Sequence, residues 1–218
     1  MCIICVSDKG IKQPTKATMQ EMWNSNPHGA GFMYYRDGIV HIKKGYMKFN
    51  DFWKAVQEMQ FTKDDVVVYH FRISTQGGVN PEMTQPFFFT NDLVKTKTLE
   101  TDTKLGICHN GIIPMTSNGD KEYSDTARFV AEYLPRMVRR TSDLDNPYTQ
   151  ELLAEVLNSK MVFLDLRGTV TLIGNFVYEK DGLIYSNTTY KPRTENYKHG
   201  YRYYDSYLEM LGKEYDYD

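Results

Sequence analysis

The chain has 218 residues, of which 41% are hydrophobic and 25% charged, a balance typical of a globular protein with a sizeable core. Its formal net charge of −2 disfavours nucleic acid and anionic membranes as partners, because no strong positive field is present. The three cysteines are an odd number, and the apolar run at residues 1–6 is too short for a signal peptide or a membrane span. We therefore expect a cytoplasmic protein with reduced thiols.

The first half of the chain has mainly β patterns with one clear helix. Short apolar runs bounded by turn residues are typical of buried strands, and an Asp-Gly pair between two such runs is a hairpin signal. Strands are predicted at residues 2–7, at residues 66–74 and on both sides of Asp37-Gly38, and a helix is predicted at residues 50–60 with Asn50 as its N-cap.

The second half adds helices and further strands. A strand is predicted at residues 104–113, helices at Ser124 onward and at 149–158, and three late strands between residues 161 and 187. This order indicates an α+β fold with mostly antiparallel sheets in a single domain, 1–218. The Tyr-rich stretch 190–218 has no assigned structure, and no Gly-rich nucleotide loop is present in the sequence.

The cysteines admit three interpretations. Cys2, Cys5, Cys108 and His109 are four potential zinc ligands, but Cys2 and Cys5 point to opposite faces if they lie on one strand. A thioredoxin-like redox pair needs a preceding strand, which is missing before Cys2. Buried apolar packing is the ordinary role of a free cysteine, and we expect it for Cys5 and Cys108.

Cys2 has a further option because it follows Met1 directly. If an aminopeptidase removes Met1, the α-amino group and the thiol belong to the same residue. An α-amine has a pKa of about 7.7–8.0, so it can accept the thiol proton near neutral pH. Cys2 is therefore a candidate N-terminal nucleophile, and retention of Met1 would remove its base.

Four further stretches follow Cys2 in a recognisable order: NPHGAGF (26–32), HFRISTQGG (70–78), HNGII (109–113) and SDT (124–126). Together they resemble the class II glutamine amidotransferases, which are N-terminal nucleophile (Ntn) hydrolases. The resemblance implies a four-layer αββα fold with two stacked, mainly antiparallel sheets. It also implies that Cys2 attacks the glutamine side-chain amide, forms a γ-glutamyl thioester and releases ammonia, with no cofactor and no metal.

The resemblance assigns a role to each motif. The amide of Asn110 and the backbone N–H of Gly111 would stabilise the oxyanion. Arg72 would bind the substrate α-carboxylate and Asp125 its α-ammonium, although Asp125 is also placed as an ordinary helix N-terminal carboxylate. The loop Thr75, Gln76 and Gly77 would contact the substrate, whereas His70 is expected to be structural.

Three departures concern the subfamily and the ammonia acceptor. Ile3 replaces a usual Gly, Gln76 replaces a His or small residue, and Gln85-Pro86-Phe87 replaces His-Pro-Phe. The 218 residues have no room for a synthase domain, so a separate synthase or ligase that accepts ammonia is expected as partner, or the enzyme is a free-standing glutaminase. The alternatives are an N-terminal cysteine hydrolase of another amide, and an inactive binding module of the same fold.

Overall fold

Two antiparallel β-sheets, of seven and four strands, form the centre of the computed structural model, which describes residues 1–191. The strands are β1 Ile3–Ser7, β2 Ala30–Arg36, β3 Ile39–Tyr46, β4 Val66–Phe71, β5 Phe87–Phe88, β6 Glu100–Thr103, β7 Leu105–Asn110, β8 Lys160–Asp165, β9 Val170–Ile173, β10 Val177–Tyr178 and β11 Ile184–Tyr185. The α-helices are α1 Lys16–Ser25, α2 Phe49–Glu58, α3 Asp125–Arg128, α4 Leu134–Met137 and α5 Pro147–Leu157, and a π-helical segment at Phe129–Tyr133 joins α3 to α4. The predicted α+β class is confirmed.

Strand β1 is an interior strand of the larger sheet, whose order is β10-β11-β1-β4-β2-β3-β6. It pairs antiparallel with β4, with Ile3 opposite Phe71, and with β11, with Cys5 opposite Tyr185. All five of its residues are buried. A continuous apolar run suits this position because a central strand that is covered on both faces needs no alternation with polar residues.

The core is divided into three layers by the two sheets. Between the sheets lie the side chains that alternate inward from both of them: Ile4, Val6, Met33, Val40, Ile42, Val66, Val68, Cys108, Val162 and Leu164. Helices α1 and α2 pack on the outer face of the larger sheet, and α3 to α5 pack on the outer face of the smaller one. Each sheet therefore has one face toward its partner sheet and one face toward helices.

The helices show where local patterning predicted the fold and where it did not. The helix predicted from Ser124 onward begins as α3, with Ser124 as its N-cap accepting from the N–H of Ala127 at 3.1 Å. The predicted N-cap Asn50 is wrong, because α2 begins at Phe49 after Lys48, which makes no side-chain capping bond. Phe49 is buried in the core as the first residue of the helix, and this packing outweighs the preference for a capping side chain at Asn50.

Several short elements were not predicted. Helix α1 was missed. Strands β5 and β6 were missed as well, and they span only two and four residues, which is too short for a clear pattern. The predicted strand after Arg167 is two strands, β9 and β10, because the chain turns at Gly174, whose φ is +92° and whose added Cβ would lie 2.4 Å from the Ser159 carbonyl oxygen. The Tyr-rich stretch lies outside the described residues from position 192 onward.

Candidate active site

The predicted nucleophile and oxyanion donors lie at one end of the two-sheet core, where strands from both sheets terminate. Cys2 precedes β1, Arg72 follows β4, and Asn110 is the last residue of β7. Ile4 and Val68 point between the sheets, and side chains an even number of residues away share that direction. Cys2 lies two residues before Ile4, and Arg72 lies four residues after Val68. Cys2 and Arg72 therefore face the smaller sheet.

The same alternation applies on the smaller sheet. Cys108 packs between the sheets, so Asn110, two residues later, also faces the larger sheet. Gly111 follows it with a φ of +148°, and a Cβ added there would lie 2.5 Å from Cβ of Ser159. The tight backbone at Gly111 thus has a steric reason to be glycine.

Cys2 is half-buried and held by two contacts. Its Sγ donates to the carbonyl oxygen of Ile73 at 3.5 Å, and the side-chain Nδ2 of Asn187 donates to its own carbonyl oxygen at 2.7 Å. Burial raises the pKa of the Cys2 thiol, and the positive charges of the chain terminus and Arg72 act against that rise. The thiol is therefore protonated near neutral pH and needs a base to become a nucleophile.

Arg72 is only 3% exposed, and it binds the loop that follows it. Its Nη1 donates to the carbonyl oxygen of Gly78 at 2.7 Å and its Nη2 to that of Gln76 at 2.6 Å. Burial lowers the pKa of Arg72, while Cys2 and Asp125 raise it. A guanidinium has five N–H donors, so three are not used by these two bonds.

The three loop residues differ in exposure. Thr75 is exposed, Gln76 is half-buried and donates to the hydroxyl of Ser117, and Gly77 is buried. Gly77 has a φ of +75°, and its N–H donates to the carbonyl oxygen of Asp120 at 3.0 Å. The loop is thereby attached to the segment that leads into α3.

Asp125 has both carboxylate oxygens engaged by backbone. Oδ2 accepts from the N–H of Ile113 at 2.8 Å, and Oδ1 accepts from the N–H of Thr126 at 2.8 Å. Burial raises the pKa of Asp125, and these hydrogen bonds and Arg72 lower it. Asp125 therefore ties the segment after β7 to the start of α3, and each carboxylate oxygen has the capacity to accept more than one hydrogen bond.

Two buried histidines lie beside the site, and both are neutral near pH 7. Burial lowers the pKa of both His70 and His109 to about 3. Nε2 of His70 donates to the carbonyl oxygen of His109 at 3.2 Å and so links the two sheets. The ring of His109 lies between the hydroxyls of Thr126 and Ser159, at 2.9 and 2.7 Å.

The four side chains of the zinc alternative do not converge. Cys5 packs with the helices on the outer face of the larger sheet, whereas Cys108 lies between the sheets. Among residues 1–191, no three His, Cys, Asp or Glu side chains are placed to hold a metal ion.

Sequence reasoning missed three residues that contact the site: Ser186, Asn187 and Lys160. Ser186 accepts from Nδ2 of Asn110 at 2.8 Å, Asn187 binds Cys2, and Lys160 donates to the carbonyl oxygen of Ser186. Lys160 lies opposite Asn110 in the β7–β8 pair. The only sequence signal for Ser186 and Asn187 was their place at the end of the last predicted strand.

No protein-family model matches this chain, and no curated protein matches it either. Within the described part of the chain, no helix combines the length and the apolar character that a membrane span requires. A functional assignment therefore depends on the motifs and on the geometry of the site.

Proposed function

We propose that this chain is a class II glutamine amidotransferase with the Ntn hydrolase fold, in which Cys2 becomes the nucleophile after Met1 is removed. One observation carries the proposal. Cys2, Arg72 and Asn110, which are far apart in the sequence, lie at the same end of the two-sheet core and face the space between the sheets. The negative charge of Asp125 acts to raise the pKa of both the Cys2 thiol and Arg72.

The layers of the fold support this assignment. Helices cover the outer face of each sheet, and the two antiparallel sheets stack through an apolar layer, which is the arrangement that the resemblance implies. The nucleophile precedes an interior strand of the larger sheet. Met1 is 77% exposed, so it is accessible for removal.

The proposed reaction uses the α-amine of Cys2 as its base. The amine accepts the thiol proton, and the sulfur attacks the side-chain carbonyl carbon of glutamine. Asn110 and the N–H of Gly111 stabilise the oxyanion. Its collapse breaks the C–N bond as the ammonium of Cys2 gives the proton to the amide nitrogen, which leaves as ammonia, and a thioester remains. Water activated by the amine then hydrolyses the thioester to glutamate.

The polar groups around the nucleophile favour an amino-acid head group. The guanidinium of Arg72 suits the α-carboxylate, and the Asp125 carboxylate suits the α-ammonium. Thr75, Gln76 and Gly77 border this head group. Ammonia leaves as a small neutral molecule, and we assign its use to a separate synthase or ligase in the cytoplasm. No cofactor or metal takes part in the proposed steps.

The first test is covalent and kinetic. Intact-mass spectrometry should show the loss of one Met, and the processed protein, assayed alone and with candidate acceptor enzymes, should convert glutamine to glutamate. Cys2→Ala should abolish turnover and labelling by the glutamine analogue 6-diazo-5-oxo-norleucine. Cys5→Ala is the matched control, because it removes a fully buried thiol on the other face of β1.

The outcomes separate the candidate functions. Turnover of other amides but not of glutamine would assign a different N-terminal cysteine hydrolase. A processed N-terminus with neither labelling nor turnover would indicate an inactive module and would overturn the proposal. Stoichiometric zinc in the purified protein would contradict the role given to Cys2.

A further inference from the structure

The hydroxyl of Ser186 connects the strand of the nucleophile to the proposed oxyanion donor. Its Oγ accepts from the backbone N–H of Ile4 at 2.8 Å and from Nδ2 of Asn110 at 2.8 Å. Ser186 is fully buried, and its own N–H donates to the carbonyl oxygen of Ile4 at 3.0 Å. Lys160 binds its carbonyl oxygen. Every polar group of Ser186 except the hydroxyl hydrogen thus has a partner.

One atom of the Asn110 amide has none. Its Oδ1 is buried without a hydrogen-bond partner among the described residues, although Asn110 is only 4% exposed. A buried polar atom without a partner is costly unless a ligand or water satisfies it. The unpartnered end of Asn110 therefore marks the position where a polar group of a ligand is expected.

The same heavy-atom positions allow two orientations of this amide, because its oxygen and nitrogen are nearly equal in size. With Nδ2 toward Ser186, the hydroxyl hydrogen is unused and the acceptor Oδ1 faces the unpartnered position. With Oδ1 toward Ser186, the hydroxyl donates to Oδ1 while Oγ still accepts from Ile4. The amino group of Asn110 then occupies the unpartnered position and offers both of its hydrogens.

We propose that Ser186 is a positioning residue that holds the Asn110 amide in this second orientation, with its amino group turned toward the substrate oxyanion. An acceptor oxygen in that place would repel the negative charge that develops in the transition state, whereas N–H donors stabilise it. Because the hydroxyl also binds Ile4, it fixes the distance between the donor and the strand that begins beside Cys2. This inference rests on the proposed glutaminase function.

Kinetics of Ser186 variants provide the first test. Ser186→Ala should lower kcat for glutamine by about 10- to 100-fold, the range for a weakened oxyanion donor, and leave KM within about twofold. Ser186→Thr keeps the hydroxyl and should restore most of the activity. Ser7→Ala is the matched control, since Ser7 is a fully buried serine of β1 whose hydroxyl donates to the carbonyl oxygen of Ile11 at 3.2 Å. It should leave kcat unchanged.

A double-mutant cycle separates positioning from general stability. If Ser186 acts through Asn110, then Ser186→Ala should have little further effect on the residual kcat of Asn110→Ala. Effects that multiply would show that Ser186 does not work through that amide. Equal kcat for wild type and Ser186→Ala, in a preparation whose glutaminase activity depends on Cys2, would overturn this inference and leave the proposed function intact.

Neutron diffraction from crystals of the processed protein decides the orientation without any turnover. The proposal requires a deuterium on Ser186 Oγ directed at Asn110 Oδ1, and two deuteriums on Nδ2 facing Cys2. Deuteriums of Nδ2 directed at Ser186 would contradict it. An inactive wild type with the required orientation would count against the glutaminase proposal alone.

Discussion

The side-chain amide of Asn187 donates to the carbonyl oxygen of Cys2 at 2.7 Å, so the segment after β11 holds the backbone of the proposed nucleophile. The other end of that amide is also engaged, because Asn187 Oδ1 accepts from the N–H and the Oγ1 of Thr189 at 3.0 and 2.8 Å. The amino end of the amide thus faces an acceptor and the oxygen end faces two donors, so the orientation of the Asn187 amide is fixed.

Replacing Asn187 by Ala should misplace Cys2. Positional errors of about 1 Å can cost about 100-fold in rate, so we expect kcat/KM for glutamine to fall by at least about tenfold. Labelling of Cys2 by 6-diazo-5-oxo-norleucine should slow in parallel. The control is Asn24→Ala, an exposed asparagine of α1 that accepts from Gln20. Labelling at the wild-type rate in Asn187→Ala would refute the role.

Alanine substitutions at Gly77 and Gly119 should separate the cost of a left-handed backbone from the cost of a steric clash. Their φ angles are +75° and +74°, but a Cβ at Gly77 would lie 2.5 Å from the backbone N of Ser124, whereas nothing lies within 4 Å at Gly119. Gly119→Ala should cost about 1–2 kcal/mol of unfolding free energy from the left-handed backbone alone. Gly77→Ala should cost clearly more and should raise KM for glutamine. Urea denaturation and steady-state kinetics measure both, and equal costs would disprove the clash.

Arg72 should affect the recognition of the substrate carboxylate. A hydrogen bond to a charged group contributes about 1.5–3 kcal/mol, so Arg72→Gln should raise KM for glutamine by about 10- to 100-fold. 4-Aminobutanamide, which keeps the amide and the amine but lacks the α-carboxylate, should lose much less between wild type and variant. An equal loss for both substrates would show instead that Arg72 acts by holding the carbonyls of Gln76 and Gly78. Arg36→Gln, at the ion pair with Asp65, is the control.

The buried histidines should make the fold sensitive to moderate acid. The pKa of His109 falls from 6.5 in the unfolded chain to about 3 in the folded protein, and that of His70 does the same. The unfolded state therefore binds more protons below pH 6.5, and stability that is fully present above that value is lost as the pH falls toward 3. The free energy of unfolding in urea should decrease from pH 7 to pH 5. His109→Gln should flatten this slope, and a pH-independent wild type would contradict the expectation.

Local sequence patterns predicted the central parts of the fold because those parts are strongly patterned. The run at β1 is apolar throughout, and Asp37-Gly38 supplies the positive φ angles that a two-residue hairpin turn needs. Helix α1 was missed because only Met19 and Met22 are buried along it, which is too weak a periodicity to detect. Thr15, its N-cap, accepts from the N–H of Thr18 but stands in an otherwise polar stretch.

Only the part of the candidate site that lies within sequence motifs could be predicted. The alternation of side chains along a strand gives the face on which Cys2 or Asn110 lies, but it does not give the strand that will be its neighbour. Ser186 enters the site because β11 pairs with β1, and that register depends on contacts across the whole sheet. The capture of the Arg72 guanidinium by the carbonyls of its own loop likewise depends on tertiary geometry that no spacing encodes.

The bond between Ile4 and Ser186 joins positions separated by 182 residues. Chains are synthesised from the N-terminus at about 5–20 residues per second, so β1 leaves the ribosome many seconds before the segment that completes its surroundings. The thiol of Cys2 is therefore available long before its proposed oxyanion donor is held in place. During that interval the nascent chain carries a thiol without its folded surroundings, and the proposed glutaminase site is complete only when the last described strand has joined the first.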